Sequence, residues 1–106
     1  MQSFCVITTT FADEVSAEKI IALLLEQKIV ACAQILPVKS FYRWEGKVCE
    51  ASERLVVMKT KSSLFGAVEA LIKEHHPYEI PQLLQIPIQN GLEAYLHWID
   101  QETIES

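Results

Sequence analysis

The densest run of chemistry-bearing side chains is His75-His76-Pro77-Tyr78-Glu79-Ile80-Pro81. Neutral imidazole suits Cu(II) and Zn(II), so His75 and His76 could serve a divalent cation. Adjacent residues at a helix end point to different sides, so this pair needs a third ligand from another strand or subunit. The plainer alternative makes one imidazole a satisfied group at a helix C-terminus and leaves the other in water, and spacing alone favours it. Tyr78, between two prolines, could present a positioned hydroxyl, or pack its ring and give the OH one backbone partner. Asp13-Glu14 at a helix start mainly complements the helix dipole, and only secondarily could lend oxygens to a cation.

Nucleophilic catalysis finds little support. There is no G-x-S-x-G, P-loop or G-x-G-x-x-G, and the chain has only three glycines with which to build one. Cys5, Cys32 and Cys49 are widely separated, form no C-x-x-C and lie in apolar surroundings, so they read as reduced core residues. A Cys–His pair could still arise in the fold, but nothing in the spacing recommends it. The expectation is a binding protein, not an enzyme, with no organic cofactor.

Composition narrows the partners. With 106 residues, half of them hydrophobic and 22% charged, the chain has material for one domain over residues 1–106 and is too apolar for intrinsic disorder. Nine Lys and Arg against 14 Asp and Glu give a net charge of −5, which disfavours nucleic-acid and anionic-membrane partners. The first residues lack the charge and apolar length of a signal peptide, and no window approaches the roughly 18 apolar residues of a span. A cytoplasmic location is expected.

These groups must be positioned by regular elements. Phe4 to Thr10 reads as a buried strand. Asp13 to Ser16 supplies cap residues for a helix carrying Ala17, Ile20, Ile21, Leu24 and Leu25 and closing at Lys28. Ile29 to Trp44 is strand-like, with Pro37 marking an edge or a bulge. Trp44-Glu45-Gly46-Lys47 is the tightest turn signal, and Val48 to Thr60 follows as a second long strand. Its centre, Leu55 to Met58, is continuously apolar and suggests burial on both faces. Ser62 is expected to cap a second helix with Leu64, Phe65, Val68, Leu71, Ile72 and His75 facing the core. Leu83 to Ile88 is a short last strand. Asn90 and Glu93 have capping-box spacing before a final helix, and the tail after Asp100 is expected to fray.

The order is β-α-β, a hairpin, β-α-β and one extra helix. Two right-handed units joined this way give an α+β, ferredoxin-like βαββαβ sandwich with an extra C-terminal helix. The central strands far exceed the usual five or six residues, so the long central hairpin must project beyond the helices. Phe41, Tyr42 and Trp44 at its tip need cover, which another subunit related by rotational symmetry would provide. Trp44-Glu45-Gly46 reads as an oligomer anchor ahead of an aromatic ligand site. Arg43 is better suited to an interface ion pair than to catalysis.

The blocks Ile29-Val30-Ala31-Cys32-Ala33-Gln34-Ile35, Phe41-Tyr42-Arg43-Trp44-Glu45-Gly46-Lys47, Met58-Lys59-Thr60, His76-Pro77-Tyr78-Glu79-Ile80-Pro81 and Tyr95-Leu96-His97-Trp98-Ile99 resemble, in order and spacing, the CutA divalent-cation tolerance family. The resemblance spans about Phe4 to Ile99. It implies a ferredoxin-like protomer in a tight homotrimer, similar in architecture to PII signalling proteins, and a link to copper and other divalent cations. Subunit contacts are expected at Phe41, Tyr42, Trp44, Glu45, Gly46 and Tyr78. The copper ligands proposed for some members correspond to His75 and His76, plus a cysteine whose position falls here on Thr9, a poor transition-metal ligand. A site built from the histidines with water or a neighbour's carboxylate would be weaker and less selective.

Two functions follow. The leading one is a trimeric metal-binding protein of metal-ion tolerance, with Cu(II) or another divalent cation near a subunit boundary. The second is a PII-like sensor that takes a small molecule in the clefts between subunits, lined by the aromatic hairpin and the H-P-Y loop. Acylphosphatase, metal-carrier and RNA-binding readings lack their phosphate loop, C-x-x-C and basic sheet respectively. A rigid scaffold with purely structural histidines completes the alternatives.

Overall fold

The computed structural model describes residues 2–105. Its elements are β1 (Phe4–Phe11), α1 (Glu14–Glu26), β2 (Cys32–Trp44), β3 (Lys47–Lys61), α2 (Phe65–His75), β4 (Leu84–Ile88) and α3 (Glu93–Gln101), with a short 3-10 turn, Ser62–Leu64, ahead of α2. The sheet is antiparallel throughout, in the order β2-β3-β1-β4. This is the expected ferredoxin-like arrangement. Pro37 and Pro87 lie on the two edge strands, β2 and β4, where a missing N–H costs the ladder least.

Alternation along β1 sends Cys5, Ile7, Thr9 and Phe11 to one face, all fully buried. Val56 and Met58 of β3 join them, and Ala17, Ile20 and Leu24 of α1 with Val68, Leu71 and Ile72 of α2 complete that core. Asp13 caps α1, its Oδ1 accepting the Ser16 N–H at 2.7 Å. The opposite face is only partly covered. Helix α3 crosses one end of it, where the buried Lys61 Nζ meets Asp100 Oδ1 at 3.1 Å and Cys32 Sγ lies 3.5 Å from Tyr95 OH. Leu55 and Val57 are therefore half-buried, not enclosed on both sides as their sequence suggested, and Leu36, Leu84 and Ile86 lie exposed around them.

Several boundaries differ from the expectations. Strand β2 starts at Cys32, because Lys28 takes φ 57° and turns the chain, and Ile29 and Val30 are apolar because they fill the core. Ser62 does not cap α2. Its N–H donates to Ser3 O at 2.8 Å, extending the sheet contact before the 3-10 turn. Asn90 does not cap α3 either; Leu92 holds that position with no side-chain bond, and its carbonyl accepts from Tyr95 and Leu96 N–H. The tail does not fray at Asp100, since Thr103 is buried and Ile104 N–H donates to Lys28 O at 2.9 Å.

The hairpin is as long as expected, with 13 residues in β2 and 15 in β3, paired to Trp44↔Lys47. Its turn uses two left-handed residues, Glu45 at φ 50° and Gly46 at φ 77°, the signature of a two-residue type I′ connection. Strand β1 ends opposite Arg54, so the hairpin continues from Arg54 to Lys47 as a two-stranded arm of about 23 Å at a strand's usual rise. No helix among the described residues is long and apolar enough to cross a membrane.

Candidate functional site

The histidine turn is built by the end of α2. A residue before proline is disfavoured in the helical region, so the chain leaves α2 at His76, which is extended at φ −73°, ψ 133°. Its N–H still donates to Ile72 O at 2.8 Å, closing the helix. The chain then wraps the end of β1 from the helix-covered face to the open one. In doing so it lays the His76 ring on Phe11, with centroids 4.3 Å apart and planes 16° from parallel.

Both nitrogens of His76 are engaged. Nε2 lies 2.7 Å from Thr10 O, and Nδ1 accepts the Tyr78 N–H at 3.1 Å. A carbonyl only accepts and a backbone amide only donates, so the proton sits on Nε2 and the ring is neutral. Burial pushes the His76 pKa below its ordinary value, against the opposing pull of Thr10 O and of the Glu53 charge. His75 is not on the core-facing side of α2, as its spacing suggested. Leu71 and Ile72 fill that side, and His75 at the helix end is exposed, with Nε2 3.9 Å from Glu74 Oε2. Adjacent in sequence, the two imidazoles have separate surroundings, one packed and one solvated.

Beyond the histidines, Tyr78 places its ring 4.8 Å from that of His76 and donates its hydroxyl to Glu53 Oε2 at 2.7 Å. Burial, and then the bond to Glu53, raise the Tyr78 pKa far above its ordinary value, so the hydroxyl remains a donor. Glu53 is only 8% exposed. It borders a cavity of about 350 Å³ between the base of the hairpin arm and the turn, lined by Thr10, Ser40, Tyr42, Trp44, Glu53, Tyr78, Glu79, Ile80 and Gln82. Ser40, Tyr42 and Trp44 alternate along β2 and so share the face of Glu53.

Of the three cysteines expected in the core only Cys5 is buried; Cys32 and Cys49 are half-buried, and Cys49 pairs across the arm with Tyr42. Cys5 is buried five residues from Thr10 along β1, about 17 Å at strand rise, and burial pushes its thiol pKa up. All three cysteines are free. Thr9 is fully buried on the helix-covered face with its hydroxyl unpartnered. Among the described residues, no group of three or more His, Cys, Asp or Glu side chains could hold a metal ion. One protomer by itself therefore does not supply a chelate at His75 and His76.

Phe41, Tyr42, Trp44, Glu45 and Gly46 lie on the exposed arm, and Tyr78 is half-buried at its base. Tyr42, Trp44 and Tyr78 thus meet at the cavity, and Phe41 projects from the other face of β2. Sequence reasoning missed Glu53 and Thr10. A signal for Glu53 was available: it shares strand parity with Leu55 and Val57, and a carboxylate in register with an apolar face needs a partner.

The model of the CutA1 divalent ion tolerance protein family matches residues 5–102. The chain belongs to that family. It is 44% identical to the divalent-cation tolerance protein CutA of Archaeoglobus fulgidus over 105 residues, covering 99% of this chain and 100% of that one. The crystal structure of CutA1 from Oryza sativa superposes with a TM-score of 0.94 at 32% identity, covering 98% and 96% of the two chains. The structure of the A. fulgidus protein, described as periplasmic, gives 0.92 at 40% identity over 93% and 97%. Membership of the CutA1 family connects the chain to divalent-cation tolerance.

Proposed function

We propose that the chain is a homotrimeric protein of metal-ion tolerance that binds Cu(II) or another divalent cation at a subunit boundary through His75. The observation that carries the metal part is the family match across residues 5–102, together with the exposed, uncommitted imidazole of His75. A boundary location follows from chemistry: one protomer lacks a set of three ligands, so an ion held there draws on water or a neighbour's carboxylate. His76 joins through Nδ1 only by giving up the bond from Tyr78 N–H, and through Nε2 only by giving up the bond to Thr10 O and changing tautomer. What supports the trimer is the projecting arm and the exposed apolar residues Leu36, Leu84 and Ile86 on the sheet face that the helices leave open, a surface of the kind that marks a subunit contact.

This is a binding role, not an enzymatic one. The engaged imidazole of His76 supports that reading, since a general base needs a nitrogen free to take a proton. A cytoplasmic location accompanies it, and fractionation with redox labelling of the three free thiols tests that part.

Titration calorimetry of Cu(II) and Zn(II) into wild type, His75→Ala and His76→Ala, each sized by light scattering, tests the site. Expected is one ion per wild-type protomer, lost in His75→Ala while the trimer persists. Undiminished binding in His75→Ala sinks the metal site. The cavity favours a second reading, a PII-like protein that takes a small molecule between subunits, because about 350 Å³ falls in the range of ligand pockets.

A further inference from the structure

The chain has a single asparagine, Asn90, and it directly precedes Gly91, one of only three glycines. Both residues are exposed in the irregular segment between β4 and α3, at the end of the sheet remote from the arm. Leu92, not Asn90, opens α3, so the Asn90 side chain is not committed as a cap. The Gly91 N–H donates to no backbone carbonyl among the described residues. Gly91 is a glycine for reasons of space. Its φ is not left-handed, and a Cβ at this position would lie 3.1 Å from Leu96 Cδ2 and 3.3 Å from Leu96 Cγ, closer than packed carbons sit. The packing of α3 thus calls for glycine at 91, and the one asparagine stands immediately before it, in water and in backbone that no ladder holds.

Those are the conditions under which a side-chain amide is attacked by its own chain, because glycine has no Cβ to shield the attacking nitrogen. We propose that Asn90-Gly91 is a self-modification site, at which the native protein converts Asn90 to isoaspartate and aspartate. Solvent base removes the Gly91 N–H proton, and the Gly91 nitrogen bonds to Asn90 Cγ. The Cγ–Nδ2 bond breaks, ammonia leaves, and a five-membered succinimide closes. Water then opens the ring. Opening at Cγ restores the ordinary backbone as aspartate, and opening at the main-chain carbonyl leaves the chain running through Cγ, as isoaspartate. One water is consumed and one ammonia released, with nothing oxidised or reduced. The two products act differently on α3. Aspartate puts a negative charge just ahead of a helix without a side-chain cap, which the helix dipole favours. Isoaspartate inserts a methylene into the main chain beside Gly91, which has no spare room against Leu96. It therefore loosens the first turn of α3, while Lys61 and Asp100 hold the far end.

The test incubates the full chain in its native oligomer, at neutral and mildly alkaline pH, beside a free peptide of residues 86–96. Peptide mapping by mass spectrometry reads the exchange of NH2 for OH, and enzymatic methylation of the isoaspartyl carboxylate counts that product. Expected is conversion at Asn90 within about tenfold of the peptide's rate, faster at the higher pH and with isoaspartate in excess. Asn90→Gln, whose ring would be six-membered, should stay unconverted. Urea below the unfolding transition should leave the rate unchanged, because the native loop itself reacts. A slower rate than that, or one that climbs with urea in step with unfolding, overturns the native-state reaction. Converted protein should exchange its amide hydrogens faster over residues 93–96 than Asn90→Asp does, and equal exchange in the two overturns the effect on α3.

Discussion

His76→Ala should be far more damaging than His75→Ala, although the two residues are adjacent. His76 donates to Thr10 O and accepts from Tyr78 N–H, each bond contributing about 1 kcal/mol net. Its ring stacks on the fully buried Phe11, an aromatic contact that adds about 0.5–1.5 kcal/mol. Together these give a loss of about 3 kcal/mol, whereas exposed His75, with only a distant Glu74 partner, should change stability by no more than about 0.5 kcal/mol. Urea unfolding at one fixed protomer concentration, which an oligomer requires, measures the difference. The pH dependence has a definite sign. Burial lowers the folded-state pKa of His76, so the unfolded chain binds the extra proton first. The His76 contribution is therefore complete above about pH 6.5, the ordinary histidine value, and declines as pH falls from there through the lowered folded value. Long-range 15N–1H spectra should show the proton on Nε2 of His76. Equal unfolding midpoints for the two variants, or a proton on Nδ1, would refute the locked-ring account.

Two further outcomes test the assembly and the α3 anchor. Asp100→Ala leaves the buried Lys61 ammonium with only a 3.4 Å carbonyl contact and should cost about 2–3 kcal/mol, while Lys61→Met should be nearly neutral, both read by thermal unfolding. Ile86→Lys places a charge on the exposed apolar face and should convert trimer to monomer in light scattering, and a trimer unaffected by it would remove that face from the interface.

The family relationship makes the CutA1 fold secure, yet it leaves the chemistry of individual side chains to this chain's own contacts. The turn at Glu45-Gly46, the edge role of Pro37, and the strand and helix order were all legible, because each is written in neighbouring residues through period, branching and turn preference. The α2 and α3 caps were misread for the same reason. Ser62 and Asn90 have suitable side chains, but the 3-10 turn Ser62–Leu64 puts Leu64 at the start of α2, and α3 starts on a carbonyl of Leu92.

What the sequence determined by itself is the set of elements, their order and the reach of the hairpin, since those depend on local backbone preference and a repeating apolar stripe. Tertiary structure decided which histidine is locked and which is free, that Glu53 is the floor of a cavity, and that Cys5 is remote from both histidines. His76 finds Thr10 across 66 residues and Tyr78 finds Glu53 across 25. Pairings at that distance are set by strand register and by the path of the turn after α2, and neither quantity is encoded in any short window of the chain.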